Sequence, residues 1–416
     1  MTFNFKFSML TLVAGLVALA SCDKDSDSSK EPKLFAEPAN CFMVSKAGIY
    51  TFKTVKGKTT ESVGEVASAD VLWESFGTHE TPNVGDIISE AYYFDGQIYF
   101  ATPSKLKDGN AVIAAKDAEG NILWSWHIWV CKGYDPVAKA QKYFNNSNGI
   151  ASWGPVMDRN LGATSAKIND HKAHGLLYQW GRKDPFLGWN GYDAHGHKRA
   201  ASTLEDWPKI ETTPDNGFEV GTIEYAIANP TTLIYPGNVS SNVDWYYTEE
   251  QNTTDNTRWG ENLRYYDPCP AGWTLPEAHT LNNQGLWYNA LGQNWNVVYD
   301  YWIEDQLGVN LGGKLGNYTN IWFPFASLYY YYDGNLYRSS QVYIWSRTYT
   351  PVEIDGVPIF ELEDGGSGGF TPDVHTIDVT ANTMFCHENQ QHHTEAWAAT
   401  HTFRSIALPT RCVAIQ

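Results

Sequence analysis

Residues that could bind a metal concentrate in one polar stretch near the end of the chain. They are Cys386, His387, His392, His393, Glu395 and His401. His392 and Glu395 are three positions apart, so on a helix they would share one face, as metal ligands can. The surrounding sequence is strongly polar, which is more simply read as a solvated loop. We therefore interpret the stretch as a loop and predict no metal site in it.

Two other groups of polar residues could do chemistry but lack the required geometry. His195 and His197 lie in GYDAHGHKRA, where glycine and alanine neighbours favour a solvated turn. The stretches EDWPKI and DWYYTEE bring carboxylates near aromatic rings. A glycosidase needs two carboxyl groups held across one bond, and the sequence brings no such pair together. We therefore predict no catalytic residues, no cofactor and no enzymatic activity.

A run of tyrosines, LYYYYDGNLY, offers a different kind of chemistry. On a strand, alternate residues share a face, so Tyr330 and Tyr332 would lie on one side. Tyrosine rings carry a polar tip on an apolar body, which suits contacts with proteins and sugars. The alternative is that these rings pack the sheet and the loops. The candidate ligand-binding residues are Tyr330, Tyr332, Asp333, Asn335 and Arg338.

Composition narrows the class of partner. The 416 residues include 17 Trp and 25 Tyr, whereas only 18% of residues are charged. The formal net charge is -18, and both nucleic acids and anionic membrane surfaces require clustered Lys and Arg. We therefore predict no nucleic-acid partner and no electrostatic binding to a membrane surface.

Residues 1–21 have the pattern of a secretory signal peptide. One basic residue, Lys6, precedes an apolar run from Met9 to Ala20 that is too short to span a membrane. The run ends in LASC, which resembles the bacterial lipobox, and this resemblance implies lipid attachment to Cys22. The alternative is an ordinary cleaved signal followed by an accidental cysteine.

Residues 22–34 contain DKDSDSSKEPK, a polar stretch with nothing apolar to bury. Burial of such a sequence does not offset the entropy of ordering it, so we predict a flexible acidic tether. An acidic stretch behind a lipidated cysteine also resembles the surface-export signal of Bacteroidales lipoproteins. That resemblance implies a protein anchored by lipid to the outer membrane and exposed at the cell surface.

Residues 35–130 consist of short alternating runs: GIYTFKTV, AYYFDGQIYFAT, NAVIAAKD and NILWSWHIWV. The pairs Asp95-Gly96 and Asp108-Gly109 are typical of hairpin turns. Helical periodicity is absent. We predict an all-β sandwich of the immunoglobulin-like type that serves as a spacer or assembly module.

Residues 131–152 contain a proline, a glycine and several Asn and Ser, and we predict that they form a linker. Residues 153–416 would then form a second domain. Within it, only PEAHTLNNQGLWYNAL, residues 276–291, has clear helical periodicity. An amphipathic turn or strand is predicted in HGLLYQWGRKDPF, and strands are predicted in NIWFPFASLYYYYDGNLY, QVYIWSRT and RSIALPTRCVAIQ.

The number of cysteines limits how many disulfides can form but does not show which cysteines pair. They are Cys22, Cys41, Cys131, Cys269, Cys386 and Cys412. If Cys22 carries a lipid, five remain in an oxidising compartment, and at least one of the five is unpaired. The sequence alone leaves the pairing open.

The order of five motifs resembles a known family. VMDRNLGA, GLLYQWGRKDPF, CPAGWTLPEAHTL, YIWSRT and ALPTRCVAIQ are similar to signatures of the FISUMP-type family, the major paralogous domain of Fibrobacter succinogenes. The resemblance covers residues 153–416. It implies a C-type-lectin-like fold, related to that of formylglycine-generating enzymes, in which the chain ends lie side by side. It also implies a disulfide between Cys269 and Cys412.

The same resemblance limits the chemistry. Calcium-dependent lectins of this fold carry Glu-Pro-Asn or Gln-Pro-Asp followed by Trp-Asn-Asp, and residues 153–416 contain neither. Calcium is therefore not predicted as a cofactor. Formylglycine-type chemistry requires reactive cysteines, for which Cys131 and Cys386 are the candidates, but neither lies in a matching motif. Asp158 and Arg159 of VMDRNLGA are expected to make structural hydrogen bonds.

Taken together, the sequence predicts an α+β protein, with an all-β immunoglobulin-like sandwich followed by a C-type-lectin-like domain. The main functional hypothesis is a surface adhesion lipoprotein, a fimbrial tip or accessory subunit. Its partners would be a host or microbial surface ligand or glycan, together with fimbrial subunits. The alternatives are a surface glycan-binding protein of a polysaccharide-utilisation system and an enzyme with the formylglycine-generating fold.

Overall fold

The computed structural model describes the chain from residue 31 onward, with gaps. The described residues are 31–78, 80–145, 150–151, 155–188, 209–213, 215–236, 244–246, 257–260, 262–277, 308–310, 312, 316–324, 328–329, 336–337, 342–349, 353–354, 357–358, 380–388 and 394–415. Strands dominate this part of the chain, and its few helices are short. No helix in it is long and apolar enough to cross a membrane. The mostly-β architecture agrees with the α+β expectation at this coarse level.

Eight strands make up the first part of the structure. They are β1 (Lys33–Leu34), β2 (Cys41–Val44), β3 (Ile49–Lys53), β4 (Ser68–Ser75), β5 (Glu90–Phe94), β6 (Gln97–Ala101), β7 (Gly109–Lys116) and β8 (Ile122–Val130). They form two four-stranded sheets, ordered β1-β3-β6-β5 and β2-β8-β7-β4. Strands β1 and β2 each lie at the edge of their sheet, and the chain between them crosses from one sheet to the other.

The two sheets share an apolar core built mainly from aromatic rings. Phe52 on β3 contacts Trp126 on β8 with ring centroids 5.2 Å apart, and Phe42 on β2 lies 4.3 Å from Phe52. Such ring pairs stabilise a core by about 0.5–1.5 kcal/mol beyond the area that they bury. This two-sheet packing is a β-sandwich, as the alternating sequence predicts.

One predicted hairpin turn is confirmed and the other is wrong. Asp95 and Gly96 have φ of 48° and 76° and join β5 to β6, as a two-residue hairpin requires. Asp108-Gly109 instead ends a connection between sheets, because β6 and β7 belong to different sheets. A Cβ at Gly109 would lie 2.5 Å from the carbonyl oxygen of Ser75, so close packing requires this glycine.

The sheet β2-β8-β7-β4 is buried on both faces. Trp126 faces the sandwich core, whereas Trp129 on the same strand belongs to a second core that also contains Leu176, Tyr178 and Trp180. Burial of both faces explains why ILWSWHIWV is nearly continuously apolar. The sandwich and the C-terminal half of the chain therefore share this second core.

A buried polar cluster also joins the two halves. Lys183 donates to Ser125 Oγ at 2.7 Å and to Asp184 Oδ1 at 2.6 Å, and Ser125 Oγ donates to the same carboxylate at 2.5 Å. Burial lowers the pKa of Lys183, and the Asp184 carboxylate partly offsets that effect. The predicted boundaries at residues 131 and 152 stay predictions, although contacts cross them throughout.

The second part contains many short elements. Its strands are β9 (Phe144–Asn145), β10 (Ile150–Ala151), β11 (Leu176–Gln179), β12 (Phe186–Leu187), β13 (Lys209–Thr213), β14 (Thr232–Pro236), β15 (Trp273–Thr274), β16 (Gly308–Asn310), β17 (Trp322–Pro324), β18 (Leu328–Tyr329), β19 (Leu336–Tyr337), β20 (Val342–Tyr349), β21 (Glu353–Ile354), β22 (Val357–Pro358), β23 (Thr380–Glu388), β24 (Thr394–Phe403), β25 (Ala407–Leu408) and β26 (Val413–Ala414). The helices are α1 (Pro136–Lys139), α2 (Ile223–Ala228) and α3 (Leu263–Tyr266), with 3-10 turns at His171–Ala173 and Phe218–Gly221.

Two larger sheets organise these strands. One is five-stranded, in the order β12-β11-β25-β18-β19, and the other is three-stranded, in the order β20-β23-β24. The strands predicted in GLLYQW, LYYYYDGNLY, QVYIWSRT and IALPTRCVAIQ are confirmed as β11, β18 with β19, β20, and β25 with β26. The helix predicted over residues 276–291 lies outside the described residues from position 278 onward.

The beginning and the end of the second part run side by side. Val156 pairs with Val413 in an antiparallel bridge, and the N–H of Met157 donates to the carbonyl of Cys412 at 2.9 Å. Nearby, β15 pairs with β26. Residues 155–414 thus close into a loop whose two ends are hydrogen-bonded to each other.

Candidate functional site

The predicted ligand-binding segment is carried by the edge of the five-stranded sheet. Strands β18 and β19 pair as Leu328↔Tyr337 and Tyr329↔Leu336, and Tyr329 also pairs with Ala407 on β25. Strand β19 therefore forms one edge of this sheet. The five candidate residues, Tyr330, Tyr332, Asp333, Asn335 and Arg338, lie outside the described residues.

Buried indole groups fix the sheet that carries this hairpin. Trp345 Nε1 donates to the carbonyl of Tyr178 at 2.8 Å, and Trp180 Nε1 donates to the carbonyl of Ser346 at 3.1 Å. These bonds connect β11 with β20 and so join the five-stranded sheet to the three-stranded one. An indole that is buried needs such a partner, because an unpaired N–H costs free energy.

Next to this junction lies a buried stack of arginines and aromatic rings. Asp244 binds both Arg258 and Arg404, the latter at 3.4 Å, and all three side chains are fully buried. The Arg404 guanidinium lies 4.2 Å from the Trp180 ring centroid, and that of Arg258 lies 4.5 Å from that of Trp245. We interpret this cation–π stack as part of the scaffold, since no face of it reaches solvent.

The disulfide implied by the family resemblance is confirmed. Cys269 is bonded to Cys412 across 143 positions of sequence. The turn before it is fixed by Asp267, whose carboxylate accepts from the Cys269 N–H at 2.9 Å and from Lys58 at 2.7 Å. Because Lys58 belongs to the sandwich, the turn, the closing strand and the sandwich are tied at one place.

The predicted structural role of Asp158 and Arg159 is also confirmed. Arg159 Nε donates to Asp158 Oδ1 at 2.8 Å, and the guanidinium lies 3.8 Å from the centroid of the Tyr134 ring. Cys131 contacts this cluster, with its sulfur 3.5 Å from Arg159 Nη1. Burial raises the pKa of Cys131 to about 11, with Arg159 opposing it, so the thiol stays protonated and is a poor nucleophile.

The polar stretch considered for metal binding is a hairpin in the structure. Strands β23 and β24 pair antiparallel, with His387 opposite Glu395. The interpretation of this stretch as a loop is therefore wrong for its described residues, because Cys386, Glu395 and His401 lie on strands. The alternative of a helical face shared by His392 and Glu395 is wrong for the same reason. Cys386 lies on β23, and His392 lies outside the described residues. Where side chains are described, no group of three or more His, Cys, Asp or Glu could hold a metal ion.

The tryptophans that the structure describes pack inside the fold. Every described Trp side chain is buried; these are Trp73, Trp124, Trp126, Trp129, Trp180, Trp245, Trp259, Trp273, Trp322 and Trp345. None of these rings is available for stacking on a sugar. The alternative that aromatic side chains pack the fold therefore accounts for the tryptophans that the structure describes.

A groove of about 700 Å³ lies beside the edge strand β2. This volume is within the range of ligand-binding sites, about 300–1,000 Å³. Residues from four segments line it: 34–37, 41–46, 131 with 133–137, and 270–271 with 273. Sequence reasoning missed this site because the open side of an edge strand depends on the pairing of distant segments, which no local pattern reveals.

The groove is mainly apolar. Leu34 and Val137 stand on its walls with 54% and 75% of their surfaces exposed, which is unusual for large apolar side chains flanking one cleft. Its charged residues are Glu37, Lys46 and Asp135. Asp135 already caps α1, accepting from the N–H of Val137 at 2.9 Å. The arrangement can therefore bind an apolar ligand, and it has no evident catalytic group.

Comparison with known proteins adds no identification. No protein-family model, no curated protein and no solved structure matches the chain. The similarity to the FISUMP-type family therefore stays a prediction from its motifs.

Proposed function

We propose that this chain is a non-catalytic adhesion or ligand-binding lipoprotein of the bacterial surface, a tip or accessory subunit of a fimbria. It is attached to the outer membrane through a lipid on Cys22 and carried on the acidic tether. An immunoglobulin-like sandwich forms its base, and a C-type-lectin-like half presents variable loops to a host or microbial surface ligand or glycan.

The observation that carries this proposal is the closed loop of the C-terminal half. Its first strand segment pairs with its last through Val156 and Val413, and the Cys269–Cys412 bond reinforces the closure. The family resemblance leads us to expect this topology, with long irregular segments between the closed ends. A constant scaffold of this kind supports binding by loops whose sequence varies.

The residues proposed to bind the ligand are Tyr330, Tyr332, Asp333, Asn335 and Arg338. The supporting observation is the pairing of β18 with β19 at the edge of the five-stranded sheet. Residues 330–335 lie between these strands in sequence, and Arg338 directly follows β19. Calcium is not required by this proposal.

The experiment is a screen of residues 23–416 against glycan arrays, host-matrix proteins and bacterial surfaces, each with calcium and with chelator. We expect binding to at least one of these that survives chelation and is lost in a Tyr332→Ala, Asp333→Ala double variant. Tyr92→Ala, on the sandwich, is the control and should bind normally. Failure to bind any of these surfaces would contradict the proposal.

The alternative of a glycan-capture protein for polysaccharide uptake is separated by affinity electrophoresis in soluble polysaccharides. A capture protein is retarded by one polymer, whereas an adhesin for protein ligands is retarded by none. The enzyme alternative has less support, because Cys131 is buried and its raised pKa keeps it protonated.

A further inference from the structure

The side of β2 that faces away from β8 is an open sheet edge beside the groove. In the parallel pairing with β8, the carbonyls of Asn40 and Val44 accept from His127 at 2.8 Å and from Cys131 at 2.9 Å. Even-numbered residues of β2 therefore direct their main-chain groups toward β8. The N–H and C=O of Met43 point the other way, toward the groove.

Cys41, the first residue of β2, is already paired along this edge. Cys41 forms an isolated parallel bridge with Pro270, which belongs to the turn held by the disulfide. The chain then turns away, with Gly272 at φ 77° and the N–H of Trp273 bonded to the carbonyl of Pro270 at 3.0 Å. The strand-like pairing of β2 thus stops after one residue, and the groove begins where it stops.

Met43, the next residue that faces this edge, has no main-chain hydrogen-bond partner among the described residues. Met43 is half-buried, and the structure gives its N–H and C=O no hydrogen bond. A main-chain pair left in a partly buried groove favours a ligand that supplies a complementary N–H and C=O. An extended polypeptide supplies both at the spacing of a strand.

The walls of the groove define the side chains of that ligand. Leu34 on one wall and Val137 on the other are exposed apolar residues, whereas the chain that precedes the groove, DKDSDSSK, has no apolar residue. The protein's own tether is therefore a poor occupant. A strand seated between two apolar walls would place apolar side chains at alternate positions.

We propose that this groove binds an extended segment of another polypeptide, with alternating apolar side chains, by adding it as a strand to the edge of β2 at Met43. The added strand extends the sheet β2-β8-β7-β4 and covers Leu34 and Val137. This site goes beyond the proposed function, and a negative glycan or matrix screen leaves it intact.

The test is a selection of random linear peptides displayed on phage against residues 23–416. Met43→Pro is the central variant, because it removes an N–H that β8 does not use and leaves the β2–β8 pairing in place. We expect the enriched peptides to alternate apolar residues. They should lose about tenfold or more in affinity on Met43→Pro, whereas Met43→Leu should retain binding.

A second pair of variants keeps the test valid if Met43→Pro fails to fold. Val137→Glu places a charge on the groove wall, and Val84→Glu is its matched control, since Val84 is 73% exposed and lies outside the groove. We expect Val137→Glu to weaken peptide binding by about tenfold or more and Val84→Glu to leave it unchanged. Amide hydrogen exchange at Met43 should slow when peptide is bound.

Three results would overturn the proposal. One is a selection that enriches no peptide, and another is equal binding by the parent and by both groove variants. The third is concentration-dependent dimerisation of the parent that Met43→Pro abolishes while no peptide binds, because the edge would then belong to a second copy of the chain.

Discussion

At the scale of single residues, Asp244 is a buried carboxylate that contacts two buried arginines. It lies between Arg258 and Arg404 with no exposed surface on any of the three side chains. Gly181 permits this arrangement, because a Cβ there would lie 2.8 Å from Cβ of Arg258. Both guanidinium groups therefore contact the same carboxylate.

We predict that Asp244→Asn lowers the free energy of unfolding by about 3–5 kcal/mol, because the change removes a buried negative charge to which two buried guanidinium groups are paired. Urea unfolding followed by tryptophan fluorescence measures the loss. Asp86→Asn is the control, since its partner Lys107 is 44% exposed and such surface pairs contribute about 0–1 kcal/mol. Equal losses in the two variants would contradict a special role for the buried stack.

His127 makes stability depend on pH. Its Nε2 lies 2.9 Å from Oδ1 of Asn110, whose amide nitrogen donates to the carbonyl of Gly162, so Nε2 carries the proton of a neutral ring. Burial lowers the pKa of His127 from 6.5 to about 3. The unfolded chain therefore binds a proton below pH 6.5 that the folded protein does not bind until about pH 3, and stability falls across that interval.

We predict that, relative to His127→Gln, the parent protein loses about 2 kcal/mol of stability between about pH 7.5 and pH 5, at about 1.4 kcal/mol per unit below 6.5. Urea unfolding at the two pH values gives this difference. His171→Gln, which removes an exposed histidine, controls for the loss of one imidazole. Parallel pH dependence in the parent and in His127→Gln would show that His127 does not contribute.

At the scale of elements, the turn around Cys269 and the closing strand β26 form a covalent unit. The turn is fixed by Asp267 and Lys58, and the bond to Cys412 closes a loop of 143 positions. In the unfolded chain this closure removes conformational entropy, which is the main source of disulfide stabilisation in the simplest account.

We predict that replacing both Cys269 and Cys412 by Ser lowers the free energy of unfolding by about 2–5 kcal/mol. Denaturant titration of the variant and of the parent, each without reductant, measures this loss. Cys131→Ser is the control for removing a buried thiol that is not bonded. A double variant as stable as the parent would mean that the closure is maintained by non-covalent contacts alone.

Elements with a strong local pattern were predictable, and contacts between distant segments were not. The alternation in AYYFDGQIYFAT and its Asp95-Gly96 turn define β5 and β6 directly. Asp108-Gly109 has the same dipeptide, but its glycine serves close packing against Ser75, which is distant in sequence. The groove beside β2 was missed for the same reason, since its walls come from four separate segments.

At the scale of the whole molecule, the described parts of the two halves behave as one packed body. Trp129 on β8 packs with Leu176 and Trp180 of the C-terminal half, and Lys183 binds Ser125 within the same interface. The sequence suggested a sandwich joined by a linker to a second domain. That division stays a prediction, and the contacts favour cooperative unfolding of both halves, because neither face of β8 is left for solvent.

We predict that residues 31–133 alone do not fold cooperatively, since Trp73, Val112 and Trp129 would be exposed. The fragment should bind a hydrophobic dye and show a broad denaturant transition, whereas residues 23–416 should unfold in one sharp transition. A fragment that unfolds as sharply as the whole chain, with the same midpoint, would show instead that the sandwich is an independent domain.

The Cys269–Cys412 bond also has a mechanical consequence. A pull between the proposed lipid anchor at Cys22 and a ligand at the proposed site, residues 330–335, would enter the segment that this bond closes. Without the bond, the load passes only along the stretch from Cys269 to residue 330, and the stretch from residue 335 to Cys412 carries none of it. With it, the two ends of that segment stay together under tension. We therefore expect extension to begin at the short, non-covalent pairing of β1 with β3, which lies near the proposed anchor in sequence.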